Sequence, residues 1–227
     1  AAPLQTWRAT VALPSPAVPP MSMPMADLSL LDPGALADHL LAGGIAGVPT
    51  DTVPALAALP AAAGPLWELK LRPAGKPFIL MAATAIELID ALGQAPPPGW
   101  EALARCGWPG ALTLVLPARG AVAEALNPGG GSLGLRLPAC PAALEILQRT
   151  GPLATTSANR SGEPPCLTPH ALAAALPGLP CLGPLPWPAA SGQASTVVAW
   201  EAASATWRVL RQGELTPAAL GLGSSLP

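Results

Sequence analysis

Short apolar runs alternate with helical stretches along this 227-residue chain, and that interleaving confines it to the α/β class. Asp32-Pro33 opens a first helix, with Asp as N-cap and Pro at the first helical position. The helix runs through Leu36, Leu40 and Leu41, and Gly43-Gly44 closes it. Residues 45–48 then read as a short buried strand that delivers Pro49-Thr50-Asp51-Thr52 to a loop. A second helical stretch is expected over about 53–71, interrupted near Pro60 and Gly64-Pro65. Residues 78–81 are strand-like, 85–92 helical, and 96–99 form a linker turn. Trp108-Pro109-Gly110 precedes a strong strand at 112–116, and Gly129-Gly130-Gly131-Ser132 leads into another at 133–137. A helix at 141–148, a strand at 152–156 and a helix at 169–176 follow. The closing strands, 195–200 and 207–210, read as a hairpin. The expected fold is therefore a twisted mixed β-sheet with flanking helices.

Half the residues are hydrophobic (51%), enough for the core of one domain. The 32 prolines and 23 glycines recur without a period, which excludes collagen and points to many turns and short elements. Residues 1–25 are Pro-broken and lack a signal-peptide apolar run, so they are expected to be a disordered extension. The domain is expected over 26–216, with 217–227 as a tail. No stretch approaches the ~18 uninterrupted apolar residues of a membrane span. A net charge of −2 and a pI near 5.6 exclude a global electrostatic footprint for nucleic acid. Cys106, Cys140, Cys166 and Cys181 are widely spaced, and with only His39 and His170 beside them they form no zinc pattern. They read as small buried or semi-buried residues of a reducing compartment.

Both lysines fall in one segment, Lys70-Leu71-Arg72-Pro73-Ala74-Gly75-Lys76-Pro77, with Arg72 between them. Three cations this close repel one another unless an anion sits among them, and a polyphosphate suits their mixture of point charge and planar fork. Three polar islands lie at the ends of apolar strands: Thr50-Asp51-Thr52, Ser132 with Arg136, and Thr155-Thr156-Ser157-Ala158-Asn159. Ligands of α/β folds gather at such strand ends. Adding Arg211 gives a site rich in cations and hydroxyls in which Asp51 is the only strong carboxylate candidate. That inventory suits an anionic nucleotide rather than a two-carboxylate or metal hydrolase. The usual nucleotide cradles, G-x-x-x-x-G-K-[ST] and G-x-G-x-x-G, are absent.

Seven motifs carry a resemblance. They are 44–53, Leu69-Lys70-Leu71-Arg72-Pro73 with Lys76-Pro77, Trp108-Pro109-Gly110-Ala111-Leu112-Thr113, 134–138, Ser157-Ala158-Asn159, Ser195-Thr196-Val197-Val198, and Leu210-Arg211-Gln212-Gly213. In this order they resemble the YrdC-like threonylcarbamoyl-AMP synthases over roughly 28–216. The resemblance implies a cytoplasmic nucleotidyltransferase that converts L-threonine, bicarbonate and ATP, with Mg²⁺ on the phosphates, to threonylcarbamoyl-AMP and pyrophosphate. The product would pass to the machinery that modifies position 37 of tRNAs. It assigns Lys70 and Arg72 the catalytic role, with Arg72, Lys76, Ser132, Ser157, Asn159 and Arg211 on ATP. Thr50, Arg136, Thr155 and Ser195 fall on the threonine side, Arg136 pairing the carboxylate. Two departures lie on that side. Pro54 replaces an aromatic residue of the first motif, and Met81 stands where the family often has His. They motivate a second reading, a paralogue acting on another amino acid or carboxylate. A third is a non-catalytic RNA-binding module, against which the acidic pI weighs.

Overall fold

The computed structural model describes residues 28–71 and 76–222. The expected N-terminal extension, Arg72 and the last five residues lie outside them. One ten-stranded mixed sheet organises the chain. Its strands are β1 (Leu30–Leu31), β2 (Ala46–Val48), β3 (Ala55–Ala58), β4 (Ile79–Met81), β5 (Leu112–Pro117), β6 (Ser132–Arg136), β7 (Leu153–Ser157), β8 (Cys181–Leu182), β9 (Thr196–Glu201) and β10 (Thr206–Arg211). They lie in the order β1-β8-β2-β3-β7-β4-β6-β5-β9-β10. Parallel pairs such as β4 with β6 sit beside antiparallel ones such as β3 with β7, and β9–β10 is the expected hairpin.

The helices are α1 (Pro33–Leu41), α2 (Ala63–Lys70), α3 (Ala85–Asp90), α4 (Trp100–Gly107), α5 (Ala121–Leu126), α6 (Pro141–Thr150) and α7 (Pro169–Ala175). Local chemistry sets several boundaries. The Asp32 carboxylate accepts from the Gly34 and Ala35 amides at 2.9 and 3.0 Å, a cap that contributes about 1 kcal/mol. Thr84 and Glu87 close a reciprocal capping box on α3.

The two faces of the sheet are covered unequally. Leu56, Leu80, Leu114, Leu135, Ala154 and Val198 point to one face and join a large core with residues of α2, α3, α4, α5 and α7. Alternate residues point to the other face, where Ala55, Ala57, Met81 and Leu153 pack with Leu36 and Leu40 of α1 and with Ile146 and Leu147 of α6. The 2.0-residue period of a strand makes this division. These two helices cover only one end of their face, and the strand ends beyond them form an open trough.

Three expectations are corrected. Residues 53–59 are not helical: 55–58 form β3, paired antiparallel with β2 and β7. All four of its residues are buried, and a strand covered on both faces shows no alternation to distinguish it from a helix. Gly64-Pro65 lies in the first turn of α2 instead of interrupting a helix, where a proline costs no intrahelical bond. Cys106 is exposed, whereas Cys140 and Cys181 are buried and Cys166 half-buried. Burial pushes the Cys181 thiol up to about 11. Helices α4 and α5 and the two-residue strands β1 and β8 were not anticipated. A short 3-10 turn, Ala218–Leu220, follows the closing hairpin and buries Leu220 in the core.

Candidate functional site

The trough has a volume of about 710 Å³. Its floor is one face of the sheet. Ser157 of β7 lies opposite Ala55 of β3, Thr155 opposite Ile79 of β4, and Met81 opposite Arg136 of β6. Lys76, just before β4, closes one side. Gly192, Ala194, Ser195 and Arg211 close the other. The 191–195 loop is pinned by backbone bonds, Ser191 N to Asp51 O at 2.9 Å and Gly192 N to Thr52 O at 2.8 Å. Gly213 permits its close approach: a Cβ there would lie 2.0 Å from the Ala194 carbonyl oxygen.

Arg136 is a buried, multiply bonded cation of the trough. It is 3% exposed. Its Nε donates to the Gly110 carbonyl at 3.2 Å, Nη1 to Thr52 Oγ1 at 2.7 Å and Nη2 to Asp51 Oδ1 at 2.9 Å. A guanidinium carries five N–H groups, so these bonds leave one hydrogen on each terminal nitrogen. Two such donors match the two oxygens of a carboxylate. Burial pushes the guanidinium down from its ordinary value, and the Asp51 carboxylate opposes that shift. Arg211 is likewise lowered by burial. Both remain cationic, because arginine starts so high. The Asp51–Arg136 ion pair was not anticipated, because 85 residues separate its members.

Behind Ser195 stands Thr113 of β5, another residue not singled out as a site residue. Its hydroxyl meets Ser195 Oγ at 2.8 Å, and Arg211 Nη2 donates to the Ser195 carbonyl at 2.9 Å. The motif containing Trp108-Pro109-Gly110 ends on this threonine, which was the available signal. Thr113→Val is expected to destabilise the protein by about 1 kcal/mol, because it leaves the Ser195 hydroxyl without this partner. Urea denaturation of the two proteins measures the difference.

Of the residues expected at the site, Lys76, Arg136, Thr155, Ser157, Ser195 and Arg211 line the trough. Others stand behind its wall. Lys70 is 2% exposed, and its Nζ donates to the carbonyls of Ser157 and Asn159 at 2.9 and 2.6 Å and to Asn159 Oδ1. Asn159 Oδ1 also accepts from Ser157 Oγ at 2.8 Å, and its Nδ2 donates to the Glu163 carbonyl. Thr50 donates its hydroxyl to the Val53 carbonyl at 2.6 Å and so shapes the loop that presents Thr52. Ser132 shares the pleat of Arg136 but begins the strand that Arg136 ends, and its Oγ accepts from Asn127 Nδ2 at 3.1 Å. Pro54 lies just outside the β2–β3 ladder, so its missing N–H removes no ladder bond. Its carbonyl accepts from the Ala158 amide at 2.8 Å.

A second, shallower cavity of about 490 Å³ lies between the ends of α1, α2 and α7. It holds His39, whose Nε2 is 3.0 Å from the Ile45 carbonyl oxygen, and Arg160. It lacks the convergent hydroxyls of the trough. Among the described residues no group of three or more His, Cys, Asp or Glu could hold a metal ion. No described helix is long and apolar enough to cross a membrane.

The Sua5/YciO/YrdC family model, described as "Telomere recombination", matches residues 38–213. The threonylcarbamoyl-AMP synthase of Pyrococcus abyssi is 36% identical over 135 residues, which cover 58% of this chain and 39% of that protein. The synthase of Bacillus subtilis is 36% identical over 125 residues, covering 53% and 36%. The match therefore spans less than half the length of these two relatives. The crystal structure of P. abyssi Sua5 complexed with L-threonine superposes with a TM-score of 0.74 at 30% identity, over 82% of this chain and 56% of that one.

Proposed function

Since the chain belongs to the Sua5/YciO/YrdC family, we propose that it synthesises threonylcarbamoyl-AMP from L-threonine, bicarbonate and ATP. The observation that carries this reading is the lining of the trough. Lys76, Arg136 and Arg211 converge there with the hydroxyls of Thr52, Thr155, Ser157 and Ser195, and no carboxylate is among the described lining residues. Such a surface binds and aligns anions. The relatives named above carry the synthase name, and the superposed P. abyssi structure holds L-threonine.

The chemistry needs that surface. The threonine amine and bicarbonate condense to a carbamate and water. A carbamate oxygen then attacks the α-phosphorus of ATP, forming an O–P bond as pyrophosphate leaves. Both reactants are anionic, so the protein must offset their repulsion and hold them in line. Arg136 would hold the threonine carboxylate through its two remaining hydrogens. Thr155 and Ser195 would border the same substrate. Lys76 and Arg211 would face the phosphates, Arg72 would act on the same ATP as the resemblance implies, and Ser157 would present its hydroxyl from the end of β7, braced by Lys70 and Asn159. Thr50 would act by shaping the 50–53 turn, and Ser132 from the far end of β6. With no carboxylate in the lining, Mg²⁺ would enter as the substrate MgATP, its ligands the phosphate oxygens and water. The adenylate would be handed to the tRNA threonylcarbamoyl-transfer machinery.

The test is pyrophosphate release from MgATP and bicarbonate, with and without L-threonine, together with chromatography for the adenylate. Threonine-dependent release with a new adenylate is expected. Lys76→Ala and Arg211→Ala should each raise the KM for ATP by about tenfold, the worth of one charge-assisted contact. Ser195→Ala should act mainly on the KM for threonine. ATP binding without threonine-dependent turnover would transfer the site to a different carboxylate substrate.

A further inference from the structure

Resting on that reading, we infer that Met81 sets the upper size of the amino-acid side chain that this site accepts. Met81 lies directly opposite Arg136 across the β4–β6 ladder. Neighbouring strands lie about 4.8 Å apart, so paired residues on one face stand side by side. A carboxylate held on Arg136 therefore brings the rest of its amino acid against the Met81 thioether.

Thr155, on the strand flanking β4 on its other side, completes the patch. Its Oγ1 donates to the Ile79 carbonyl at 3.0 Å. With its proton committed there, the hydroxyl offers lone pairs to a substrate O–H. One pleat of three adjacent strands thus presents two carboxylate donors, an apolar wall and a hydroxyl acceptor. That is the complement of a small amino acid with both a methyl and a hydroxyl on its β-carbon.

The wall is thin. Behind Met81 lies an apolar cavity of about 10 Å³, enclosed by Val48, Ala57, Ile146, Leu147 and Leu153 beneath α6. Met81 and Thr155 line both this cavity and the trough. The Met81 side chain is 5% exposed, so it is packed rather than free to swing away. It separates the substrate from space that a shorter residue would open. Apart from Thr155 the neighbours on that side are aliphatic, so the opened space would favour larger apolar side chains.

The experiment compares kcat/KM for L-threonine, L-valine, L-isoleucine and L-leucine in wild type, Met81→Ala and Met81→Val, read as amino-acid-dependent pyrophosphate release. Wild type is expected to prefer threonine and to reject isoleucine and leucine. In Met81→Ala the isoleucine-to-threonine ratio should rise at least tenfold, the scale of one or two methylenes in an apolar pocket. The KM for ATP should stay within twofold of wild type. Met81→Val, whose β-branched side chain suits a strand, should retain the fold and shift the ratio in the same direction by a smaller factor. A cooperative melt for either variant with the ratio unchanged overturns the assignment of Met81, while the synthase reading stands. Absence of threonine-dependent release in wild type overturns the reading itself, and this inference with it.

Discussion

Asp51→Ala is expected to destabilise the protein by about 3 kcal/mol and to remove most threonine-dependent turnover while leaving ATP binding nearly intact. The reason is an asymmetry in burial. The Arg136 side chain is 4% exposed, and the Asp51 side chain 18%. Losing the carboxylate strands a buried guanidinium, whereas Arg136→Ala leaves a carboxylate that water can reach. Arg136→Ala should therefore cost less stability and as much activity. Asp51→Asn separates charge from geometry, because its amide oxygen can still accept from Nη2. If positioning matters most, Asp51→Asn should retain far more activity than Asp51→Ala, with the loss falling on the KM for threonine. Equal stability of Asp51→Ala and wild type in urea would show that the pair is energetically idle.

Lys70→Met should cost about 3 kcal/mol and raise the KM for ATP at least tenfold. Methionine keeps an apolar stem of similar length, so what is lost is the ammonium. That group donates to the Ser157 and Asn159 carbonyls and to Asn159 Oδ1 from a site 2% exposed. Hydrogen bonds to a charged donor contribute about 1.5–3 kcal/mol each, and the cost of burying the ammonium offsets part of their sum. Ser157, at the end of β7, faces the trough, so loosening this strand end would be felt first by the nucleotide. A fall in melting temperature of about 6–12 °C follows from the same figure for a chain of this size. Calorimetry and the ATP dependence of pyrophosphate release check the two halves of this expectation. A variant that melts like wild type with an unchanged KM would deny Lys70 its bracing role.

What was legible in the sequence was what neighbouring residues decide among themselves. Asp32, Pro33 and the glycines after Leu41 delimit α1 because a cap bond spans only two or three residues. The strong strand after Trp108-Pro109-Gly110, the glycine-led entry into β6 and the final hairpin were local in the same sense. The strand-end islands carrying Arg136, Thr155 and Ser157 also meet Ser195 in one trough.

Only the tertiary structure decided how those islands are used. Residues 55–58 could not declare themselves a strand, because four small or aliphatic side chains buried on both faces carry no period. Strands β1 and β8 are two residues long and owe their existence to each other and to β2. Lys70 reads in sequence as one of three equivalent cations. Folding buries it beneath the end of β7, 87 residues away, and leaves Lys76 at the trough. Asp51 reads as the one strong carboxylate candidate of the site, and folding pairs it with Arg136. Propensity, capping and turn chemistry act over a few residues and so are written into the sequence directly. Which charge is paired, which hydroxyl is spent and which side chain faces a ligand depend on partners that only the order of strands in the sheet brings within hydrogen-bonding distance.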